Sequence, residues 1–202
     1  MRLYNITIES ILKELVKIPN DVAIQSLEMP EGISWSELDK ITDDIAKGML
    51  VLGLKKGDNL VLWGSNKKEW IYIFLAASKI GVCTVTLNTN YLLEEVEKIL
   101  EVADAKAIAF MESFYDTNYV DIIEKVKERY NKGICKISQI MEYFIYFGDK
   151  NRPEYTEIDN LISLGKSLKE ETFNLICNDI EPDEVVNIQF TSGTTSSPKA
   201  LC

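Results

Sequence analysis

The sequence predicts an α/β fold, a mostly parallel sheet with helices on both faces. Three observations predict it. Apolar residues recur alternately at helical and at strand spacing along the chain; runs such as Leu60-Val61-Leu62-Trp63 are apolar on both faces, as a buried central strand requires; and glycines stand where one element must release the chain into the next. Strands alternating with amphipathic helices call for right-handed crossovers.

The elements follow in order. Ile8, Ile11, Leu12, Leu15 and Val16 lie at helical spacing after Thr7, and Pro19 ends the pattern before a short strand at Val22-Ala23-Ile24. Ser36 is the expected N-cap of the next helix, whose stripe is Leu38, Ile41, Ile45, Met49 and Leu52, with Gly53 as a left-handed stop. Gly57-Asp58 turns the chain into the strand at Leu60. Asn66 and Glu69 form an expected capping pair for a helix from Trp70 to Ile80, and Gly81 opens a strand over Val82–Leu87. After Asn88-Thr89-Asn90 come a helix carrying Leu93, Val96, Ile99, Leu100 and Ala103, a strand at Ala107–Phe110 and a helix from Asn118 to Tyr130. The aromatic run Tyr143–Phe147 reads as core or strand and receives no function; a helix spans Ile158–Ser167. The polar segment Cys177–Glu184 then leads into a strand at Val185–Phe190.

Composition excludes several functions. The 202 residues are 46% hydrophobic, enough for a buried core, and the formal charge is −10 with a pI near 4.7. No general basic field exists to attract nucleic acid. The four cysteines, Cys83, Cys135, Cys177 and Cys202, form no CxxC pair, and the chain has no histidine. Zinc sites and histidine-activated nucleophiles are thereby disfavoured, and dispersed thiols suit a reducing cytoplasm. The N-terminus shows no signal-peptide pattern, and the longest apolar run, Trp70 to Ala77, is too short to cross a bilayer. A cytoplasmic location is the expectation.

The chemistry is concentrated in Gln189-Phe190-Thr191-Ser192-Gly193-Thr194-Thr195-Ser196-Ser197-Pro198-Lys199. Hydroxyls at Thr191, Ser192, Thr194, Thr195, Ser196 and Ser197 can ring a polyanion, Gly193 admits a close backbone approach, and Lys199 adds a compact cation. The spacing is not that of a Walker loop. By composition alone the same residues suit an ordinary turn as well as a phosphate cradle.

The stretch Phe190–Lys199 closely resembles the phosphate-loop signature of the AMP-binding, adenylate-forming superfamily. Ser34-Trp35-Ser36-Glu37-Leu38, Leu52-Gly53-Leu54-Lys55-Lys56-Gly57-Asp58, Asn66-Lys67-Lys68-Glu69-Trp70 and Lys79-Ile80-Gly81 support it in the family's order. The resemblance covers essentially the whole chain, and its details look most like fatty-acyl-CoA synthetases of the short- to medium-chain kind. It implies an ATP-dependent ligase that activates a carboxylic acid, fatty by this likeness, as an acyl-adenylate and passes the acyl group to CoA. Thr191, Ser192, Gly193, Thr194, Thr195, Ser196 and Lys199 would hold the ATP phosphates, with Thr194 or Thr195 ligating Mg²⁺. Ser196 stands where the family usually has glycine, and a left-handed conformation there would cost roughly 1–2 kcal/mol.

In this family the acyl pocket, the adenine- and ribose-binding motifs and the C-terminal domain with its catalytic lysine follow the phosphate loop. Residues 1–202 are therefore expected to be the N-terminal part of the AMP-binding domain, ending directly after that loop, without catalytic residues and inactive alone. Two other readings stay open. The chain would be half of a split enzyme completed by a separate C-terminal polypeptide, or a non-catalytic binding or regulatory module retaining the fold.

Overall fold

The computed structural model describes residues 6–19, 21–135, 142–191 and 199–201. In chain order the elements are α1 (Ile8–Leu15), β1 (Val22–Ser26), β2 (Met29–Ser34), α2 (Trp35–Leu52), β3 (Asn59–Trp63), α3 (Lys68–Lys79), β4 (Cys83–Thr86), α4 (Leu93–Val102), β5 (Ala105–Phe110), β6 (Ser113–Phe114) and β7 (Thr117–Asn118). Then come α5 (Tyr119–Asn131), β8 (Tyr143–Tyr146), β9 (Thr156–Glu157), α6 (Ile158–Gly165), α7 (Glu170–Asn178), β10 (Asn187–Thr191) and β11 (Lys199–Leu201). The main sheet has the order β11-β10-β4-β3-β5-β8-β9. All neighbours in it are parallel except β10 and β11. The expected α/β architecture is thus observed.

The central strands explain themselves. Leu60, Val61, Leu62 and Trp63 are fully buried, as are Ala107, Ile108, Ala109 and Phe110 on β5, because both sheet faces are covered. From β3 the chain crosses by α3 to β4 on one side, then returns by α4 to β5 on the other. Right-handed crossovers in opposite directions place these two helices on opposite faces. Accordingly α3 packs with α1 and α2, and α4 with α5.

Caps and turns correct two expectations. Ser34, not Ser36, caps α2: its hydroxyl accepts the Glu37 N–H at 3.3 Å while the Glu37 carboxylate accepts the Ser34 N–H at 2.8 Å. This reciprocal box satisfies two otherwise orphaned donors, and Ser36 is already inside the helix. The Asn66–Glu69 pair does not cap α3. The Lys67 N–H donates to the Ser65 carbonyl at 2.8 Å, so the bend delays the helix to Lys68, and Lys67 is an N-cap without a side-chain bond. Gly53 does close α2 in the left-handed region, at φ +117°, and its N–H reaches the Met49 carbonyl at 3.1 Å. Helix α7 lies largely in a segment for which the sequence reading offered no element; it turns Phe173 and Cys177 inward.

Two features lock the helical layer. Helices α2 and α6 meet backbone to backbone: a Cβ on Gly48 would lie 2.1 Å from the Leu161 carbonyl oxygen. The second is a buried charge cluster. The Lys79 ammonium, with no exposed surface, sits 2.6 Å from Asp39, 2.5 Å from Asp43 and 3.3 Å from Glu9, while Lys13 reaches Asp39 at 2.8 Å. It joins α1, α2 and α3. Burial acts to raise the Asp39 pKa, but the Lys13 and Lys79 ammonium groups outweigh it and hold the carboxyl below its ordinary 3.8. Burial likewise acts to lower Lys79, and its carboxylate partners carry it above 10.5 instead.

Two outcomes follow. Gly48→Ala forces α2 from α6 and lowers stability by about 1–3 kcal/mol, read as a reduced urea midpoint; an unchanged midpoint would mean that the helices separate without cost. For the cluster, the Asp39 contribution is present above 3.8 and lost as pH falls through its lower folded value. The Lys79 contribution is present below 10.5 and lost as pH rises through its higher one. Lys79→Met leaves three carboxylates with Lys13 as their one remaining cation among the described residues and costs about 3–5 kcal/mol at neutral pH. Its stability then increases on mild acidification, opposite in sign to the unsubstituted chain, as urea titrations across pH will read.

Candidate functional site at the carboxyl edge of the sheet

Ligands of open α/β sheets gather at the carboxyl ends of the strands. Strand β10 brings Thr191 to that edge. Strand β10 runs parallel to β4 in the register Asn187 to Thr84, Ile188 to Val85 and Gln189 to Thr86. Thr84 makes this pairing specific. Its N–H and its hydroxyl both donate to the Val186 carbonyl at 3.0 Å, and the Asn187 side-chain amide donates to the Thr84 carbonyl at 3.0 Å. Thr84 is fully buried, so leaving its hydroxyl unpaired would cost about 1–3 kcal/mol.

The chain then turns back. Strand β11 pairs antiparallel with β10, Thr191 opposite Lys199 and Phe190 opposite Ala200. The sequence had placed Lys199 in the loop; here it begins the return strand and lies at the root of the 192–198 connection. Thr191 forms the other root. Ser192, Gly193, Thr194, Thr195 and Ser196, the remaining predicted phosphate ligands, lie outside the described residues, as does the suggested Mg²⁺ contact through Thr194 or Thr195.

Beside the end of β10 the edge is built from residues to which the sequence assigns no role. Leu87–Asn90 follow β4, and the Asn88 carboxamide oxygen accepts the Asn90 N–H at 2.9 Å. Trp63 and Tyr119, both fully buried, stack with ring centroids 3.7 Å apart. The Trp63 indole donates to the Asn88 carbonyl at 3.1 Å and the Tyr119 hydroxyl to the Thr89 carbonyl at 2.7 Å. Burial pushes the Tyr119 phenol up, so it remains a protonated donor. A crevice of about 930 Å³ opens between the β1–β2 hairpin and the start of α3, with Leu27, Met29, Trp70, Ile71 and Leu87 among its lining residues.

Farther along the edge, Glu112 follows β5 and gathers donors from the last residue of β8 and from the turn beyond it. Arg152 contacts it through Nη2 at 2.6 Å and Nε at 3.2 Å, Lys150 at 2.8 Å and the Tyr146 hydroxyl at 2.8 Å. The Arg152 bonds chiefly hold the Glu112 carboxyl down to about 2, and burial with the Glu112 bond pushes the Tyr146 phenol up to about 12. These cations are therefore engaged with a carboxylate. The aromatic run was rightly read as strand and core, yet Tyr146 also carries this polar tip.

Glu9, Asp39 and Asp43 bring carboxylate oxygens within 4.8 Å of one another, the spacing of a cation site. The Lys79 ammonium already lies among them. Residues 13–202 match the family described as AMP-binding enzyme.

The chain belongs to that family. The Bacillus subtilis protein YngI is 32% identical over 173 residues, covering 83% of this chain and 32% of its own length. The mitochondrial medium-chain acyl-CoA ligase ACSF2 of mouse is 31% identical over 193 residues, covering 91% of this chain and 31% of the ligase. The chain thus spans about a third of the length of these curated relatives. Among solved structures, the anthranilate CoA ligase AuaEII in complex with anthranoyl-AMP superposes with a TM-score of 0.78 at 17% identity, covering 99% of this chain and 35% of that one. The long-chain-fatty-acid-CoA ligase FadD1 of Archaeoglobus fulgidus gives 0.70 at 17% identity, covering 99% and 37%. At these identities the likeness shows the fold: this AMP-binding chain covers the N-terminal part of the adenylate-forming architecture. Among its described residues no helix is long and apolar enough to cross a membrane.

For this AMP-binding chain, Glu112→Gln tests the edge network. Glu112 contributes stability above its ordinary 4.5 that is lost as pH falls toward about 2. The variant is expected to show a flatter stability profile between those values, measured by urea unfolding at successive pH.

Proposed function

We propose that residues 1–202 are the N-terminal part of the AMP-binding domain of an ATP-dependent acyl-CoA synthetase, and that their chemical contribution is the phosphate loop. The supporting observation is the Thr191–Lys199 pairing at the carboxyl edge, in a chain of the AMP-binding family. A hydroxyl-rich connection whose roots, Thr191 and Lys199, are paired across β10 and β11, with β10 beside β4, suits a polyphosphate. Thr191, Ser192, Gly193, Thr194, Thr195, Ser196 and Lys199 would bind the β and γ phosphates through hydroxyl, backbone N–H and ammonium donors.

The reaction takes two steps. A carboxylate oxygen attacks the α-phosphorus of ATP; the bond from that phosphorus to the bridging oxygen breaks, and pyrophosphate leaves with the electron pair. The CoA thiolate then attacks the acyl carbonyl, forming the thioester as AMP leaves. The loop contributes by orienting the polyphosphate and stabilising charge that accumulates on the leaving group. Thr194 or Thr195 would help hold Mg²⁺, which would supply further neutralisation of the phosphates. The acyl substrate, by analogy with ACSF2, is a medium-chain fatty acid, and the cytoplasm is the proposed location of the protein.

Phosphate binding and turnover are separable in this reading. Purified 1–202 is expected to bind Mg·ATP without carboxylate-dependent ATP–pyrophosphate exchange, and Lys199→Ala to weaken binding about tenfold, the loss of one charge-assisted contact. Titration calorimetry and an exchange assay measure the two. Exchange by the chain alone would overturn the partial-enzyme reading, and absence of Mg·ATP binding would overturn the phosphate-loop assignment in this chain.

A further inference from the structure

The turn after β4 is held with more hydrogen bonds than a simple connection requires. It lies next to the chain leaving β10, because β4 and β10 are parallel and in register through Thr86 and Gln189. Within it, the Asn88 carboxamide oxygen accepts the Asn90 N–H and the Asn88 carbonyl accepts the Tyr91 N–H at 3.2 Å. Two further donors come from rigid neighbours: the Trp63 indole at the end of β3 and the Tyr119 phenol at the start of α5. Their rings stack at 3.7 Å with planes 15° apart, so each fixes the other.

The choice of polar tips is informative. A buried indole and phenol each require a hydrogen-bond partner, and a role in packing alone would be met by phenylalanine. Here both tips end on consecutive backbone carbonyls, Asn88 and Thr89, of one partly exposed turn. The pair therefore sets the backbone path of the turn, whatever its side chains do. Both donors are neutral, and each partner carbonyl turns toward the core, leaving the exposed Asn88 and Asn90 side chains at the edge.

We propose that Trp63 and Tyr119 are positioning residues that hold the Asn88–Asn90 turn as a fixed wall beside the end of β10, where the nucleotide phosphates would bind. This rests on the phosphate-loop reading above. Loosening the wall widens the space into which the polyphosphate is drawn, so nucleotide affinity falls although no residue touching phosphate has changed. Neither aromatic residue is a ligand.

The test uses Tyr119→Phe and Trp63→Phe, which keep a ring and remove one donor each. Amide hydrogen exchange at Asn90 and Tyr91 reports the turn, and calorimetric titration with Mg·ATP reports affinity. Expected are exchange about tenfold faster at those two amides and Mg·ATP binding weakened by about three- to tenfold, the scale of one net hydrogen bond. Asn59→Ala is the control: it removes a hydrogen bond to the Ala103 carbonyl at the opposite end of β3, lowers global stability, and leaves turn exchange relative to the core and Mg·ATP binding unchanged. Unaltered exchange at Asn90 and Tyr91 in both variants overturns the brace. Faster exchange with unchanged affinity overturns its link to the nucleotide, as does an Asn59→Ala effect of the same size. If the unsubstituted chain itself fails to bind Mg·ATP, the phosphate-loop reading and the nucleotide half of the proposal fall together, while the exchange data still decide the brace.

Discussion

The parallel pairing of β10 with β4 is the constraint on which the rest of the site depends, and Thr84 enforces it at the entrance to the strand. Its amide and hydroxyl converge on Val186, and Asn187 returns a bond to its carbonyl, so a shift of β10 by one residue would leave buried donors unpaired. With that register set, β10 ends with Thr191 at the carboxyl edge of the sheet. There the end of β10 is beside the Asn88–Asn90 turn and on the same rim as Glu112. A strand β10 paired elsewhere in the sheet would carry the same loop sequence into a different environment.

Charge is managed in the same economical way throughout a chain of net charge −10. Carboxylates that come together inside are each met by cations: Glu9, Asp39 and Asp43 by Lys79 and Lys13, and Glu112 by Arg152 and Lys150. A buried ion cluster of this kind contributes little net stability over an apolar equivalent, but removing one partner is costly. Its consequence is specificity of arrangement. Helix α1 is joined by charge to α2 and α3, which themselves cover the β3–β4 side of the sheet. The carboxyl edge of the sheet stands apart from this cluster, so the folding electrostatics and the proposed phosphate chemistry draw on different residues.

Legibility in the sequence varied with the range of the interaction. Strand β3 was readable because Leu60–Trp63 are apolar on both faces, and Gly53 was readable because a left-handed helix end needs glycine. The Ser34 cap was misplaced by two residues since Ser34 and Ser36 both precede the stripe, and only the reciprocal bond with Glu37 separates them. Helix α7 escaped notice because Phe173 and Cys177 form a narrow stripe among polar residues. The Trp63–Tyr119 pair carried no local signal at all. Its members are far apart in the chain, and they meet only because the β5 crossover brings the start of α5 over the end of β3.

The sequence by itself determined the class of fold, through alternating periods of two and 3.6, and it determined the family, through the Phe190–Lys199 stretch and its supporting segments. These are local properties: side-chain periodicity and the residue types needed in a phosphate-binding turn are written in consecutive positions. The tertiary structure alone decided that Lys199 begins a return strand, that Thr84 sets the register of β10, and that Trp63 and Tyr119 converge on one turn. Each of these is a contact between distant segments, created when parallel crossovers bury the sheet, and hydrogen-bond partners across such crossovers have no spacing that a linear pattern could reveal.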